Sequence, residues 1–245
     1  MTYCWVVPHY NHVAEFCAHL LPGLADSGLP CIVVDDGSDP SKLEHLEAEL
    51  ARHESITLVQ HKINQGKGAA VLSGCRHARA AGFTHIIQID ADGQHEPADA
   101  SRFIEASQLD PTAIISGYPI FDKSVPKLRK YGRRITTFWV MLETHSLIIK
   151  DALCGYRMYP LDTIEQLLER FEFGYQMDFD TEILVKAVWD DVPIIFIDTK
   201  VQYFDDGTSH FHYMRDNLIL IKLHTGLMLR SFLILPGLLL RRMRK

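Results

Sequence analysis

The sequence predicts an α/β protein with a mostly parallel, doubly wound sheet and helices on both faces. Three observations carry that expectation. Short runs rich in β-branched residues alternate with stretches whose apolar residues recur at helical spacing. Polar turns end three of these runs: Pro8-His9-Tyr10-Asn11, Asp35-Asp36-Gly37-Ser38 and Asp90-Ala91-Asp92-Gly93. Strands and helices that alternate at this pitch pair in parallel, through crossover helices.

Taken in order, Tyr3-Cys4-Trp5-Val6-Val7 reads as a first strand stopped by Pro8, and Glu15 to Leu21 as a helix. Pro30 to Val34 is a second strand. Lys42 to His53 is a helix, with Leu43, Leu46 and Leu50 on one side. Ile56 to Val59 is a third strand, and Asn64-Gln65-Gly66-Lys67-Gly68 opens a helix that reaches about Ala81. Ile86-Ile87-Gln88-Ile89 is a buried strand. Pro97, a good first-turn residue, starts a helix to about Gln108, and Ala113 to Gly117 is a fifth strand. A basic patch follows (Lys123, Lys127, Arg129, Lys130, Arg133, Arg134) and leads into a helix from Ile135 to Ile149. Asp151 to Tyr159 reads as a loop into a short strand, and Asp178-Phe179-Asp180-Thr181-Glu182 caps a helix to Trp189. Val192 to Ile197 and Val201 to Phe204 are further strands, and the chain ends in an apolar, basic helical segment from about Tyr213. The expected division is a domain over 1–212 and an extension over 213–245.

With 245 residues, 47% of them hydrophobic, the chain can bury a real core. The net charge of −6 argues against a general nucleic-acid binder. The charge is unevenly placed: after Asp216 there are six basic residues and no acidic one, so the rest carries −12. A basic tail on an acidic body points to an anionic surface as partner. Five scattered cysteines without a Cys-x-x-Cys pair suit reduced, buried thiols in the cytosol. The opening Met-Thr-Tyr leads straight into a strand-like run, which argues against a signal peptide. Without an uninterrupted run of about 18 apolar residues, no membrane span is expected.

Ligands of open α/β sheets bind outside the carboxyl ends of the strands. Asp90 and Asp92 stand at such an end, and two hard carboxylates suit Mg²⁺ or Mn²⁺, which bridges to a diphosphate. Gln94 offers a third oxygen. A purely polar turn is the plainer alternative. At the second strand end, Asp35 and Asp36 are able to accept from a base imide or a ribose hydroxyl; a helix N-cap, which Ser38 or Asp39 would satisfy, is the plainer alternative, and both can hold at once. Tyr10 is placed to stack on a base or to fill a turn. Gly66 and Lys67 at a helix start either favour a diphosphate or allow close helix–sheet packing. The segment matches neither a Walker loop nor Gly-x-Gly-x-x-Gly. Asp178, Asp180 and Glu182 complement a helix dipole, and one acid there is a candidate general base. Of thirteen histidines, His210 stands out, in the loop before the last helix.

In order, Pro8-x-Tyr10-Asn11, Asp35-Asp36-Gly37-Ser38, Asn64-x-Gly66-Lys67-Gly68, Asp90-x-Asp92-Gly93-Gln94, Cys154-Gly155-Tyr156-Arg157 and Arg215-Asp216-Asn217 resemble the family-two glycosyltransferases. More narrowly, they look like the dolichol-phosphate mannose synthase and polyprenyl-phosphate sugar transferase branch. The resemblance covers about Tyr3 to Leu229. It implies a GT-A fold and inverting transfer of a sugar from a UDP- or GDP-linked donor to a lipid-linked acceptor, with Mg²⁺ or Mn²⁺. By position, Pro8, Tyr10, Asn11, Asp35, Asp36, Gly66, Lys67, Asp90 and Ala91 would hold the nucleotide sugar. Asp90, Asp92, Gln94 and His210 would bind the metal. Asp180, Asp92 and Arg157 would be catalytic, and Arg134, Arg157 and Arg215 would meet acceptor or diphosphate. Such an enzyme would work at the inner face of the cell membrane, as a peripheral cytoplasmic protein. Thr225 to Leu240 carries Arg230, Pro236 and Gly237, so it reads as too broken to span and suited to lie in the interface. Three alternatives stay open: a non-polyprenyl acceptor, a nucleotidylyltransferase, or a non-catalytic nucleotide-sugar-binding scaffold.

Overall fold

The computed structural model describes residues 1–121, 127–202 and 213–242, with 127–130, 213–217 and 238–242 described by backbone alone. The strands are β1 (Tyr3–His9), β2 (Cys31–Asp35), β3 (Ile56–Gln60), β4 (His85–Gln88), β5 (Ile114–Ile120), β6 (Arg157–Pro160) and β7 (Ile194–Lys200). They form one seven-stranded sheet in the order β3-β2-β1-β4-β6-β5-β7. β1 pairs in parallel with β2 and with β4, β2 with β3, and β5 with β7. Only β6 runs the other way, antiparallel to β4 and β5. The sheet is therefore mixed rather than uniformly parallel, and β6 starts where β4 ends: Gln88 is opposite Arg157.

Side chains alternate across a strand, so each strand feeds two cores. Cys4, Val6, Ile32, Val34 and Ile86 face one side, under α4 (Lys67–Ala80), α6 (Lys127–Thr144), α7 (Leu161–Arg170), α8 (Phe179–Trp189) and α9 (Tyr213–Arg242). Trp5, Val7, Cys31, Val33 and Ile87 face the other. That side is covered by α1 (Val13–Glu15), α2 (Leu21–Asp26), α3 (Pro40–Leu50) and α5 (Ala100–Leu109). Residues Phe16–Leu20 join α1 to α2 as a π-helical stretch. All five cysteines are unpaired thiols.

Two elements depart from the sequence reading. The helix expected over Ile135 to Ile149 is α6, which begins earlier and stops at Thr144, because His145 adopts a left-handed backbone (φ 48°). The C-terminal segment is one continuous helix of 30 residues that runs through Pro236. A proline removes one backbone donor without having to end a helix. Leu218–Gly237 is long and apolar enough to cross a membrane, by length and composition only, which corrects the reading of that segment as too broken to span. One side of α9 packs on the domain: His224 meets Glu143 of α6 at 2.7 Å, and Leu227 and Ser231 are buried. The strand expected at Val201 to Phe204 is a single bridge, His95 to Val201, and residues 203–204 lie outside the described residues.

Candidate active site

The carboxyl ends of β1, β2 and β4 and the start of β6 share one rim, and the motif residues meet there. Ile86 to Ile89 is fully buried, and the chain leaves the sheet at Asp90. Ala91 is buried and Asp92 half-buried, with Asp92 Oδ1 accepting the Gln94 N–H at 3.0 Å. Gly93 (φ 70°) turns the chain. Gly155 packs directly against Asp90. A Cβ there would sit 2.2 Å from Asp90 Oδ2, so the position admits no side chain unless the carboxylate moves.

Lys67, the first residue of α4, reaches across the rim. Its Nζ lies 2.7 Å from Asp90 Oδ1 and 2.6 Å from Asp180 Oδ2. Asp180, in the first turn of α8, is buried, takes a hydrogen bond from Gln88 Nε2 (3.2 Å) and has the Arg157 guanidinium 3.9 Å from its Oδ1. Burial alone would raise the Asp180 pKa, but Lys67 and Arg157 more than offset it and hold the group below the usual carboxylate range. Burial alone would likewise depress Lys67, yet Asp180 and Asp90 raise it. The result is an ionised carboxylate–ammonium–carboxylate chain.

The residues of the other strand ends are held by contacts within the fold. Asp36 accepts Gln65 N–H (2.9 Å) and Gly66 N–H (2.7 Å), and His61 Nδ1 lies 2.7 Å away. Asp35 engages His9 Nδ1 (3.0 Å) and both the N–H and hydroxyl of Ser38. Both acids are buried and brace the rim loops from within. Asn11 (φ 60°) accepts Asp39 N–H through Oδ1 and so ties the loop after β1 to the start of α3. Pro8 lies within β1 and Tyr10 is half-buried just past it.

At the α4 N-terminus, backbone N–H groups are engaged within the fold. Gly68 N–H and Ala69 N–H donate to the carbonyls of Gln176 and Tyr175. Gly66 (φ 106°) permits this approach, since a Cβ there would lie 2.3 Å from Tyr175 O. Close packing therefore accounts for these glycines. It also locks the start of α4 to the turn before α8, which brings Lys67 to Asp180.

Arg157 is fully buried. It donates to the carbonyls of Asp180 and Ala152 and to Tyr159 Oη. It therefore positions Asp180 from below the rim. Arg134 is exposed on α6, Arg215 lies in the backbone-only part of α9, and His210 falls outside the described residues. The sequence reading did not single out Gln88, Gly155 or His61. Gln88 is visible in the sequence as the one polar residue of Ile86-Ile87-Gln88-Ile89, and Gly155 lies within Cys154-Gly155-Tyr156-Arg157.

Among the described residues, no group of three or more His, Cys, Asp or Glu side chains is placed to hold a metal ion. Asp90 and Asp92 fit a divalent cation in another way. Mg²⁺ commonly takes only one or two protein carboxylates and completes its shell with phosphate oxygens and water.

Beneath the turn, His95 is buried with Nε2 3.7 Å from Cys154 Sγ, and burial pushes its pKa from 6.5 down to about 4. A base depressed by folding takes up a proton on unfolding. The stability it gives is complete above pH 6.5 and is lost as pH falls toward 4. Wild type should lose about 2 kcal/mol from this group between pH 7 and pH 5. Urea titrations at the two pH values should show that loss in the wild type and a much smaller one in His95→Gln; equal losses would show that His95 is not held neutral.

Polar residues gathered at the carboxyl rim of such a sheet stand where open α/β sheets bind their ligands. Residues 4–168 match the Glycosyl transferase family 2 model, and the chain belongs to that family; it is a glycosyltransferase. It is 27% identical over 209 residues to the undecaprenyl-phosphate mannosyltransferase of Micrococcus luteus, covering 80% of this chain and 84% of that protein. With the polyprenol monophosphomannose synthase of Mycolicibacterium smegmatis it shares 28% identity over 173 residues, 66% of this chain and 63% of the relative. Its fold is the GT-A fold. It superposes with a TM-score of 0.66 and 15% identity on glucosyl-3-phosphoglycerate synthase from Mycobacterium tuberculosis, solved with Mn²⁺ and uridine-diphosphate-glucose, over 91% of this chain and 79% of that one.

Proposed function

We propose that this enzyme moves a sugar from a nucleoside diphosphate sugar to a polyprenyl phosphate or similar lipid-linked phosphate, with inversion, and that it depends on Mg²⁺ or Mn²⁺. The observation that carries the choice of acceptor is the state of Asp180. A carboxylate held ionised by Lys67 and Arg157 is a poor proton acceptor. A hydroxyl acceptor needs a base. A phosphate monoester, with a second pKa near 6, brings its own anionic oxygen. The names of the Micrococcus and Mycolicibacterium relatives, undecaprenyl-phosphate mannosyltransferase and polyprenol monophosphomannose synthase, support the same choice.

In this reading an acceptor phosphate oxygen attacks the anomeric carbon from the face opposite the diphosphate. The new C–O bond forms as the old one breaks, and the electron pair leaves with the nucleoside diphosphate. Asp90 and Asp92 hold the divalent ion, which supplies positive charge to the leaving diphosphate. Lys67 and Asp180 keep the rim in one arrangement, so that catalysis is mostly positioning and charge neutralisation. His210 and Arg215 are proposed to join the metal and the acceptor phosphate, respectively. Residues 213–245 form an extension that lies on the inner membrane face. Support comes from Leu218, Ile221, Leu229, Phe232 and Leu233, all exposed on α9, and Ile135 and Phe138, exposed on the neighbouring α6. The basic tail adds attraction to anionic lipid.

The test is nucleoside diphosphate release by purified protein, after a thermal-shift screen of UDP and GDP with and without Mn²⁺ has named the base. Release should need both Mn²⁺ and a polyprenyl phosphate and should cease with the corresponding polyprenol. Equal release with the free alcohol would exclude the phosphate acceptor.

A further inference from the structure

Lys67 is placed unlike an ordinary nucleotide-contacting lysine. Its side chain is 14% exposed and its ammonium sits between two carboxylates that belong to different elements, Asp90 after β4 and Asp180 on α8. Asp90 has little freedom to leave that contact, because the Gly155 backbone closes its other side. Asp180 is fixed in turn by Gln88 and Arg157. An incoming divalent ion must therefore compete with an ammonium already 2.7 Å from Asp90.

The charge balance makes the competition sharp. Among the described residues, the ion-paired groups Asp90 and Asp180 against Lys67 and Arg157 leave no net charge. A bare divalent ion turns that into a positive excess in a partly buried place, where uncompensated charge is costly. A divalent ion arriving with a diphosphate does not. We infer that Lys67 is the internal counter-ion of the donor site: it occupies Asp90 until nucleotide and cation come together, and so makes cation capture depend on the nucleoside diphosphate. This rests on the donor-site reading above and adds a positioning role for a residue expected only to lie near the nucleotide.

The experiment is Mn²⁺ binding followed by electron paramagnetic resonance, with and without the nucleoside diphosphate found in the thermal screen. Lys67→Met should bind bare Mn²⁺ about tenfold tighter or more than wild type, and the gain in Mn²⁺ affinity on adding nucleotide should shrink by a similar factor. Asp180→Asn should move the other way. With one anionic partner instead of two, Lys67 holds Asp90 more firmly, so bare Mn²⁺ binds more weakly. This second variant removes a buried charge while Arg157 keeps its carbonyl partners, and it stands as the test if Lys67→Met does not fold. Lys67→Arg, which keeps the charge, should retain the wild-type dependence on nucleotide. Unchanged or weaker bare Mn²⁺ binding in Lys67→Met, or unchanged binding in Asp180→Asn, overturns the inference. If wild type binds no Mn²⁺ with any nucleoside diphosphate, the donor-site reading itself fails, and the inference with it.

Discussion

Asp92→Asn is expected to lower sugar transfer by about a thousandfold or more while leaving the fold intact. The substitution is nearly isosteric, and its Oδ1 still accepts the Gln94 N–H that shapes the turn. It removes one of the two carboxylate charges proposed to hold the cation. Loss of metal-assisted neutralisation of a leaving group is worth several kcal/mol, and each 1.36 kcal/mol is tenfold in rate. The same variant should lose most of the Mn²⁺-dependent stabilisation by nucleoside diphosphate in a thermal melt, while its melting temperature without ligand stays close to wild type. Asp92 is the sharper choice over Asp90, because replacing Asp90 also strips Lys67 of a partner and mixes two effects. Wild-type turnover by Asp92→Asn would remove the metal from the proposed reaction.

The rim of the sheet was legible because each strand that contributes to it is a β-branched run stopped by a polar turn, as at Val33-Val34-Asp35 and Ile87-Gln88-Ile89-Asp90. The direction of β6 was not legible. Arg157-Met158-Tyr159-Pro160 is too short to carry an orientation of its own, and only its pairing with β4 and β5 makes it antiparallel. That reversal is what delivers Gly155 to Asp90 and Arg157 to Asp180. The two acids Asp35 and Asp36 show why a motif does not declare its partner. As a row of polar residues after a strand they suit a ligand or a backbone cap equally, and only the folded loops reveal Gln65, Gly66 and Ser38 as the donors. Lys67 was readable as a cation near phosphate. Its pairing with Asp180, 113 positions away, is a product of tertiary packing between the start of α4 and the turn before α8. The continuity of α9 through Pro236 was likewise hidden, since proline weakens a helix without deciding where it ends.

Arg157→Met should be the most destabilising of the substitutions considered. The guanidinium is fully buried, and its N–H groups bond two main-chain carbonyls, Asp180 O and Ala152 O, along with Tyr159 Oη. Methionine fills much of the volume but leaves those acceptors without a donor and takes a counter-charge away from buried Asp180. Removing one partner of a buried charged network costs about 3–5 kcal/mol, which for a domain of this size lowers Tm on the order of 10 °C. Arg157→Lys separates the two contributions. It keeps a positive charge near Asp180 but cannot fork to carbonyls on two different segments, so its loss should be intermediate. Activity should fall in both variants even below their melting temperatures. Asp180 would lose its support from beneath, and with it the fixed position of Lys67 and the orientation of Asp90. Urea titration gives the stability change and nucleoside diphosphate release gives the rate. A stable Arg157→Met protein with full activity would show that the rim keeps its geometry without this buried prop.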